Sequence, residues 1–175
     1  LKDGDIVSVD CGTLLDGFCG DSCYTFCVGE VKPEVKALLE TTKAALYNAI
    51  ETAIPGKRLG DIGYAVQSLC ESKGYGVVRE FVGHGIGREM HEDPQVPNYG
   101  KRGTGKQLKN GLCIAIEPMI TMGTHEIMMK EDRWSVATRD GRFAAHFEHT
   151  IAIHHGKADI MSSFEQIEEI ERQLN

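Results

Sequence analysis

SVDCGTLLDGFCGDSC, residues 8–23, decides the fold, because its Asp16-Gly17 pair is a strong two-residue hairpin signal. Strands are therefore expected over 5–11 and 18–28. With Asp16 and Gly17 as the turn, Leu15 pairs with Phe18, Gly12 with Asp21 and Asp10 with Cys23. Directly opposed residues share a face, so 10, 12 and 14 lie on the face of 19, 21 and 23. Asp10 and Asp21 become diagonal neighbours aimed at one point. Aspartate is depleted in strands, and two like charges so placed repel unless something neutralises them. Cys19 and Cys23 fall on the same face.

Two more carboxylates break the same rule. Glu117 ends the apolar run LCIAIE, and Glu148 sits inside AAHFEHTIAI. Hard oxygen donors grouped on apolar strands suit divalent cations. A histidine from the GHGIG loop, His84, would complete a mixed site for Mn, Fe, Co or Zn. Two metals sharing carboxylates would activate a water and polarise a carbonyl. The glycines beside His84 imply that backbone approaches something closely there. They do not form a phosphate loop, which needs a following Lys-Ser/Thr. His125, His146, His149, His154 and His155 are expected at the surface or behind the ligands. Cys19 and Cys23 are soft donors that fit such a hard set poorly.

Around this core, Pro33 opens a helix whose apolar residues recur from Val35 to Ala53, and Pro55-Gly56 stops it. A second helix is expected at 59–72 and a short strand at 77–82, with 83–94 as loop and 100–111 as a glycine- and lysine-rich connection. The run 112–120 reads as a strand buried on both faces. Strands follow at 126–130, 134–139 and 142–154, the last two joined at Asp140-Gly141. A terminal helix spans 164–174, with Ser163 as N-cap. Hairpin, two helices, then strands without alternation imply an α+β fold with an antiparallel or mixed sheet, in one domain covering 1–175.

The net charge of −7 argues against broad attraction to nucleic acid or anionic membrane. No apolar run approaches the roughly 20 residues that span a bilayer. The six cysteines lack the setting of a secreted scaffold and read as reduced, so a cytoplasmic location is expected. The first residue is Leu1 and opens directly on a turn, so an upstream segment is expected.

The segments LKDGDIVSVD, DGFCGDS, VREFVGHGIGREMHEDPQVPNYG, GLCIAIEPM, DRWSVATRDG and FEHT, in this order, resemble type I methionine aminopeptidases. The resemblance implies the pita-bread (creatinase/aminopeptidase-like) α+β fold, with helices on the outer face and the N-terminal part lacking. It implies two divalent metal ions on Asp10, Asp21, His84, Glu117 and Glu148. Asp21 and Glu148 would bridge them, Asp10 would hold one, and His84 and Glu117 the other. Water between the metals would attack the first peptide carbonyl, with Glu117 as proton shuttle. His91 matches a histidine contacting the scissile peptide, and Trp134 a residue at the methionine pocket. Met90 replaces an aromatic and should line an apolar pocket. Met90, Cys19 and His146, all departures from the family pattern, are expected not to touch the five ligands. The implied substrates are peptides and nascent chains with N-terminal Met and a small second residue, cleaved by a monomer. A proline-specific aminopeptidase or dipeptidase of this fold is a second reading. A non-catalytic binding protein or inactive fragment is a third.

Overall fold

In the computed structural model, which describes residues 1–174, the N-terminal hairpin has the register its turn dictates. Strands β1 (Ile6–Asp10) and β4 (Ser22–Cys27) pair antiparallel with Asp10 opposite Cys23. Strands β2 (Thr13–Leu15) and β3 (Phe18–Gly20) pair with Leu15 opposite Phe18. Asp16 and Gly17 adopt positive φ, 51° and 79°, as a tight hairpin turn of this kind requires. The two expected strands are broken into four at the level of Gly12 and Asp21, where the ribbon β2–β3 leaves the main sheet. The register survives the break through the Cys11 amide, which donates to the Ser22 carbonyl at 3.0 Å.

Helix α1 (Pro33–Thr52) starts on its proline, which loses no intrahelical bond there. Its buried stripe of Val35, Leu38, Leu39, Ala45, Leu46 and Ala49 follows the expected spacing. Helix α2 (Leu59–Ser72) packs against it. Then follow β5 (Gly76–Val77), β6 (Gly83–Gly85), β7 (Glu92–Val96), β8 (Leu112–Ile116), β9 (Met119–Thr121), β10 (Ile127–Met129), β11 (Val136–Thr138), β12 (Ala144–His146), β13 (Glu148–His154), β14 (Lys157–Ile160) and α3 (Glu165–Leu174). The main sheet runs β1-β4-β13-β8-β6-β7, with β14 also on β13. Every strand pair in it is antiparallel. A smaller sheet, β12-β9-β5, stands beside it. On β8 and β13 the alternation sends Ile114, Ile116, Ile151 and Ile153 into the core shared with Leu38, Leu46 and Ile62. The other face of these strands is left for Glu148, Thr150 and Ala115.

Several expected strands are divided, for local reasons. The run 112–120 breaks at Glu117-Pro118, because proline has no amide for a central ladder, and Met119–Thr121 joins the smaller sheet. The run 142–154 breaks at Phe147, which turns into the core to meet the ring of Tyr24 edge-on, with centroids 5.0 Å apart. Asp140-Gly141 makes a turn but no hairpin. Strand β11 pairs with β10 and β12 with β9, while the Asp140 carboxylate accepts the Thr124 and Arg142 amides. Part of the expected loop 83–94 is instead strand β6. A Cβ at Gly83 would overlap the Ala115 carbonyl oxygen, and one at Gly85 the Asp93 carbonyl oxygen. The close approach implied by these glycines is made by neighbouring strands. Among the described residues, no helix is long and apolar enough to cross a membrane.

Candidate metal centre

Strand register assembles four of the five candidate ligands. Asp10 on β1 lies opposite Cys23 on β4, and Cys23 lies opposite Glu148 on β13. The pairing of His149 with Ile116 places the next residue of each chain segment, Glu148 and Glu117, level with each other. Gly85 opposite Ile114 sets His84 beside Ala115, on the face of Glu117. Asp21 enters from the break between β3 and β4. Its amide and carbonyl are both held by the Thr150 hydroxyl, at 2.9 and 2.8 Å.

All five candidate ligands line one cavity of about 760 Å³, together with His91, His146, Phe81 and Met119. Asp21, His84 and Glu148 each offer a donor atom within 4.8 Å of the others. His84 Nε2 lies 3.4 Å from Glu117 Oε1 and 3.8 Å from Asp21 Oδ2. Asp10 is the exposed member, and the other four are about nine-tenths buried or more.

Burial and mutual repulsion act together on the carboxylates. Burial pushes the Glu148 carboxyl up to about 10, and Glu117, Asp21 and Asp10 add to the effect. Burial, Asp10 and Asp21 push Glu117 up to about 8. Asp10 is raised by burial and then by Asp21. The buried Glu148 Oε1 has no hydrogen-bond partner. His84 Nδ1 lies 3.0 Å from the Gly85 carbonyl, which can only accept, so Nδ1 carries the hydrogen and Nε2 is the atom turned toward the two carboxylates. Acceptors facing acceptors in a buried pocket are the donor set that a divalent cation satisfies, and the residues fit one.

His91 is exposed at the rim, its ring centroid 4.4 Å from that of His84. Trp134 is not brought to the cavity. It stands in the turn between β10 and β11, 88% exposed. Met90 is half-buried against Gly12 and does not line the cavity either. His146 corrects the expectation that it stands clear of the ligands. Its Nε2 lies 3.7 Å from Glu117 Oε2, and burial lowers its pKa to about 4. Its position two residues before Glu148 was a signal, since alternation puts such residues on one face. His149, expected at the surface or behind the ligands, is fully buried on the helix side. It stacks on Phe164, and its Nδ1 lies 2.8 Å from Ser162 Oγ. Cys23 does sit in the row between Asp10 and Glu148. Burial and the surrounding carboxylates hold its thiol protonated, with Sγ 3.7 Å from the His146 carbonyl. Cys19 points to the Arg88 carbonyl and lines a separate cavity with Cys11 and Cys113.

Thr150 is a positioning residue for Asp21. Thr150→Val keeps the shape and strands a buried amide and carbonyl. It is expected to cost about 2 kcal/mol in urea unfolding. Divalent metal should bind roughly tenfold more weakly, as for other residues that orient a ligand. Wild-type stability in the variant would show that the hydroxyl does not hold Asp21.

A metallopeptidase family model, M24, matches residues 1–155. Methionine aminopeptidase from Clostridium acetobutylicum is 50% identical over 153 residues, covering 87% of this chain and 61% of its own. The crystal structure of methionine aminopeptidase from Thermotoga maritima superposes with a TM-score of 0.89 at 49% identity, covering 91% of this chain and 64% of its own. The prolidase from Pyrococcus horikoshii superposes less closely, with a TM-score of 0.73 at 26% identity, covering 93% of this chain and 41% of its own. The chain thus spans under two thirds of the length of these two methionine aminopeptidases. Its antiparallel sheet, its buried acid–histidine cluster and a family match over nearly its whole length lead to one conclusion: this chain belongs to metallopeptidase family M24.

Proposed function

We propose that the chain carries the metal-dependent aminopeptidase centre that removes an N-terminal methionine from peptides and nascent chains with a small second residue. The observation that carries this reading is the convergence of Asp10, Asp21, His84, Glu117 and Glu148 on one cavity. Two divalent ions, Co, Mn, Fe or Zn, are the proposed cofactors, and Asp10, Asp21, His84, Glu117 and Glu148 would hold them. When bound, such ions polarise the peptide carbonyl and acidify water.

The chain's own residues supply the rest. Glu117 would take a proton from water at a carboxylate oxygen and pass it to the leaving amine. His146 beside it stays neutral and does not compete for that proton near neutral pH. His91 at the rim hydrogen-bonds the scissile peptide and orients it. Phe81 and Met119 give the cavity an apolar side for the methionine chain. The unit works as one catalytic domain, a monomer in the cytoplasm. The segments GREMHEDPQV and DRWSVATRDG, and the higher identity to methionine aminopeptidases than to a prolidase, favour this reading over a proline-specific one. The convergence of all five donors favours it over a non-catalytic relative.

The test pairs calorimetric titration of the metal-free chain with release of methionine from Met-Ala-Ser. Two bound equivalents of Mn²⁺ or Co²⁺ and metal-dependent release are expected. Absence of metal binding would overturn the metal centre, whereas preferential cleavage of X-Pro peptides would move the substrate class to the proline-specific relatives.

A further inference from the structure

A surface remote in chemistry from the acidic cavity stands out in this acidic chain. Lys57, Arg58, Lys101, Arg102, Lys106 and Lys109 are all exposed, and they are six of the chain's 19 lysines and arginines. Two segments distant in sequence bring them together. Arg58 bridges to Gln107, the Leu108 amide donates to the Lys57 carbonyl, and the Gly60 amide donates to the Thr104 carbonyl. The Arg58 guanidinium donates to the Gly105 carbonyl at 2.8 Å.

This platform is fixed. Leu59 and Leu108 anchor it in the core, and a Cβ at Gly60 would overlap the Lys101 carbonyl oxygen, so the loop lies tight on the first turn of α2. Asp61 is the acid set among these cations, with Lys57 and Arg102 both acting on it. Its carboxylate is already committed to the Arg58 and Gly103 amides. Among the described residues, none of the six cations has a carboxylate within ion-pair distance.

We propose that this platform binds the phosphate backbone of a nucleic acid. The choice of partner follows from what the platform lacks. None of the exposed large apolar side chains falls within 56–60 or 100–109. A protein partner needs an apolar core to its interface, and a membrane-surface anchor needs an apolar face to insert. Phosphate contacts need only placed cations and amides. The net charge of −7 does not forbid this, because at physiological salt the field is screened over about 8 Å and the local sign decides. The sequence-based expectation that no nucleic acid is bound rested on the net charge, which averages this cluster away.

The test is fluorescence anisotropy of the 175-residue chain with an RNA hairpin and a DNA duplex of about 12 base pairs, with affinity followed between about 50 and about 200 mM salt. Six phosphate contacts predict a loss of affinity of about 10³-fold over that range. Removing four cations together, Lys101→Gln, Arg102→Gln, Lys106→Gln and Lys109→Gln, is expected to weaken binding at least about tenfold and to flatten the log–log salt slope by about 3. The melting temperature should fall by a few degrees at most, since all four side chains are exposed and the Arg102 guanidinium, 4.3 Å from the Tyr64 ring centroid, gives up a surface cation–π contact. Replacing Lys32, Lys36 and Lys157 by Gln should leave binding nearly intact. Binding to RNA or to DNA supports the proposal, and the tighter of the two names the source of the phosphate. No binding at the lowest salt, an unchanged slope in the fourfold variant, or tighter binding to phosphatidylcholine/phosphatidylglycerol vesicles than to either nucleic acid would overturn it.

Discussion

Glu148→Gln is expected to raise the stability of the metal-free chain while abolishing the proposed metal-dependent activity. Glu148 is 1% exposed, its Oε1 lacks a partner, and its carboxyl is pushed up to about 10 by burial and by Glu117, Asp21 and Asp10. At pH 7 the unfolded side chain ionises freely, whereas the folded one keeps its proton. Holding that proton 2.5 pH units above the ordinary value of 4.5 costs about 3 kcal/mol. Glutamine has the same shape and no charge to lose, so the metal-free variant should melt about 6 °C higher. The same change removes a carboxylate charge at the centre of the cluster proposed to hold the metal. Losing the several kcal/mol a metal supplies to a hydrolytic transition state means a fall in turnover of about 10³-fold or more. Calorimetry with and without Mn²⁺, beside peptide cleavage, separates the two effects. A metal-free variant less stable than the wild type would show that Glu148 does not bear the carboxylate repulsion. Near-normal turnover would remove it from the metal centre.

The legibility of this site in the sequence has a physical basis. Asp16-Gly17 admits one turn, that turn admits one register, and the register aims Asp10 and Asp21 before any tertiary contact is known. Glu117 and Glu148 were visible because a carboxylate on an apolar strand demands a reason. What stayed hidden depends on where strands break. Phe147 leaves its strand for an aromatic cluster, and Pro118 ends another, so chain neighbours part into different sheets. His149 could not be read as a core residue because the Phe164 ring that covers it comes from the start of the terminal helix. The basic platform was invisible for a related reason: Lys57 and Arg58 meet the 101–109 loop only through hydrogen bonds between segments distant in sequence. Net charge reports composition, and binding depends on position.

The same cluster fixes how stability depends on pH, and the sign differs with and without metal. In the metal-free chain Glu117 is raised to about 8 and Glu148 to about 10, so the folded state holds protons that the unfolded state releases above about 4.5. Stability from these groups is full in acid and is lost as pH rises through the folded values. His146 and His149, both lowered to about 4, act oppositely between 4 and 6.5, where the unfolded state takes up protons that the folded state refuses. Two protons against two nearly cancel up to about pH 6.5. Above it the histidines are neutral in both states, and only the loss remains. Each proton held by the folded state alone then lowers stability by about 1.4 kcal/mol per pH unit. Melting of the metal-free chain is therefore expected to be nearly flat from pH 5 to 6.5 and to fall by several degrees by pH 8. Excess Mn²⁺ should reverse that slope, because ligands must be deprotonated to hold the ion and binding tightens as protons leave. Glu148→Gln should remove about half of the metal-free decline, since one of the two protons then has no site. A metal-free chain whose melting temperature does not fall between pH 6.5 and 8, or whose slope Mn²⁺ leaves unchanged, would place the stored repulsion somewhere other than this cavity.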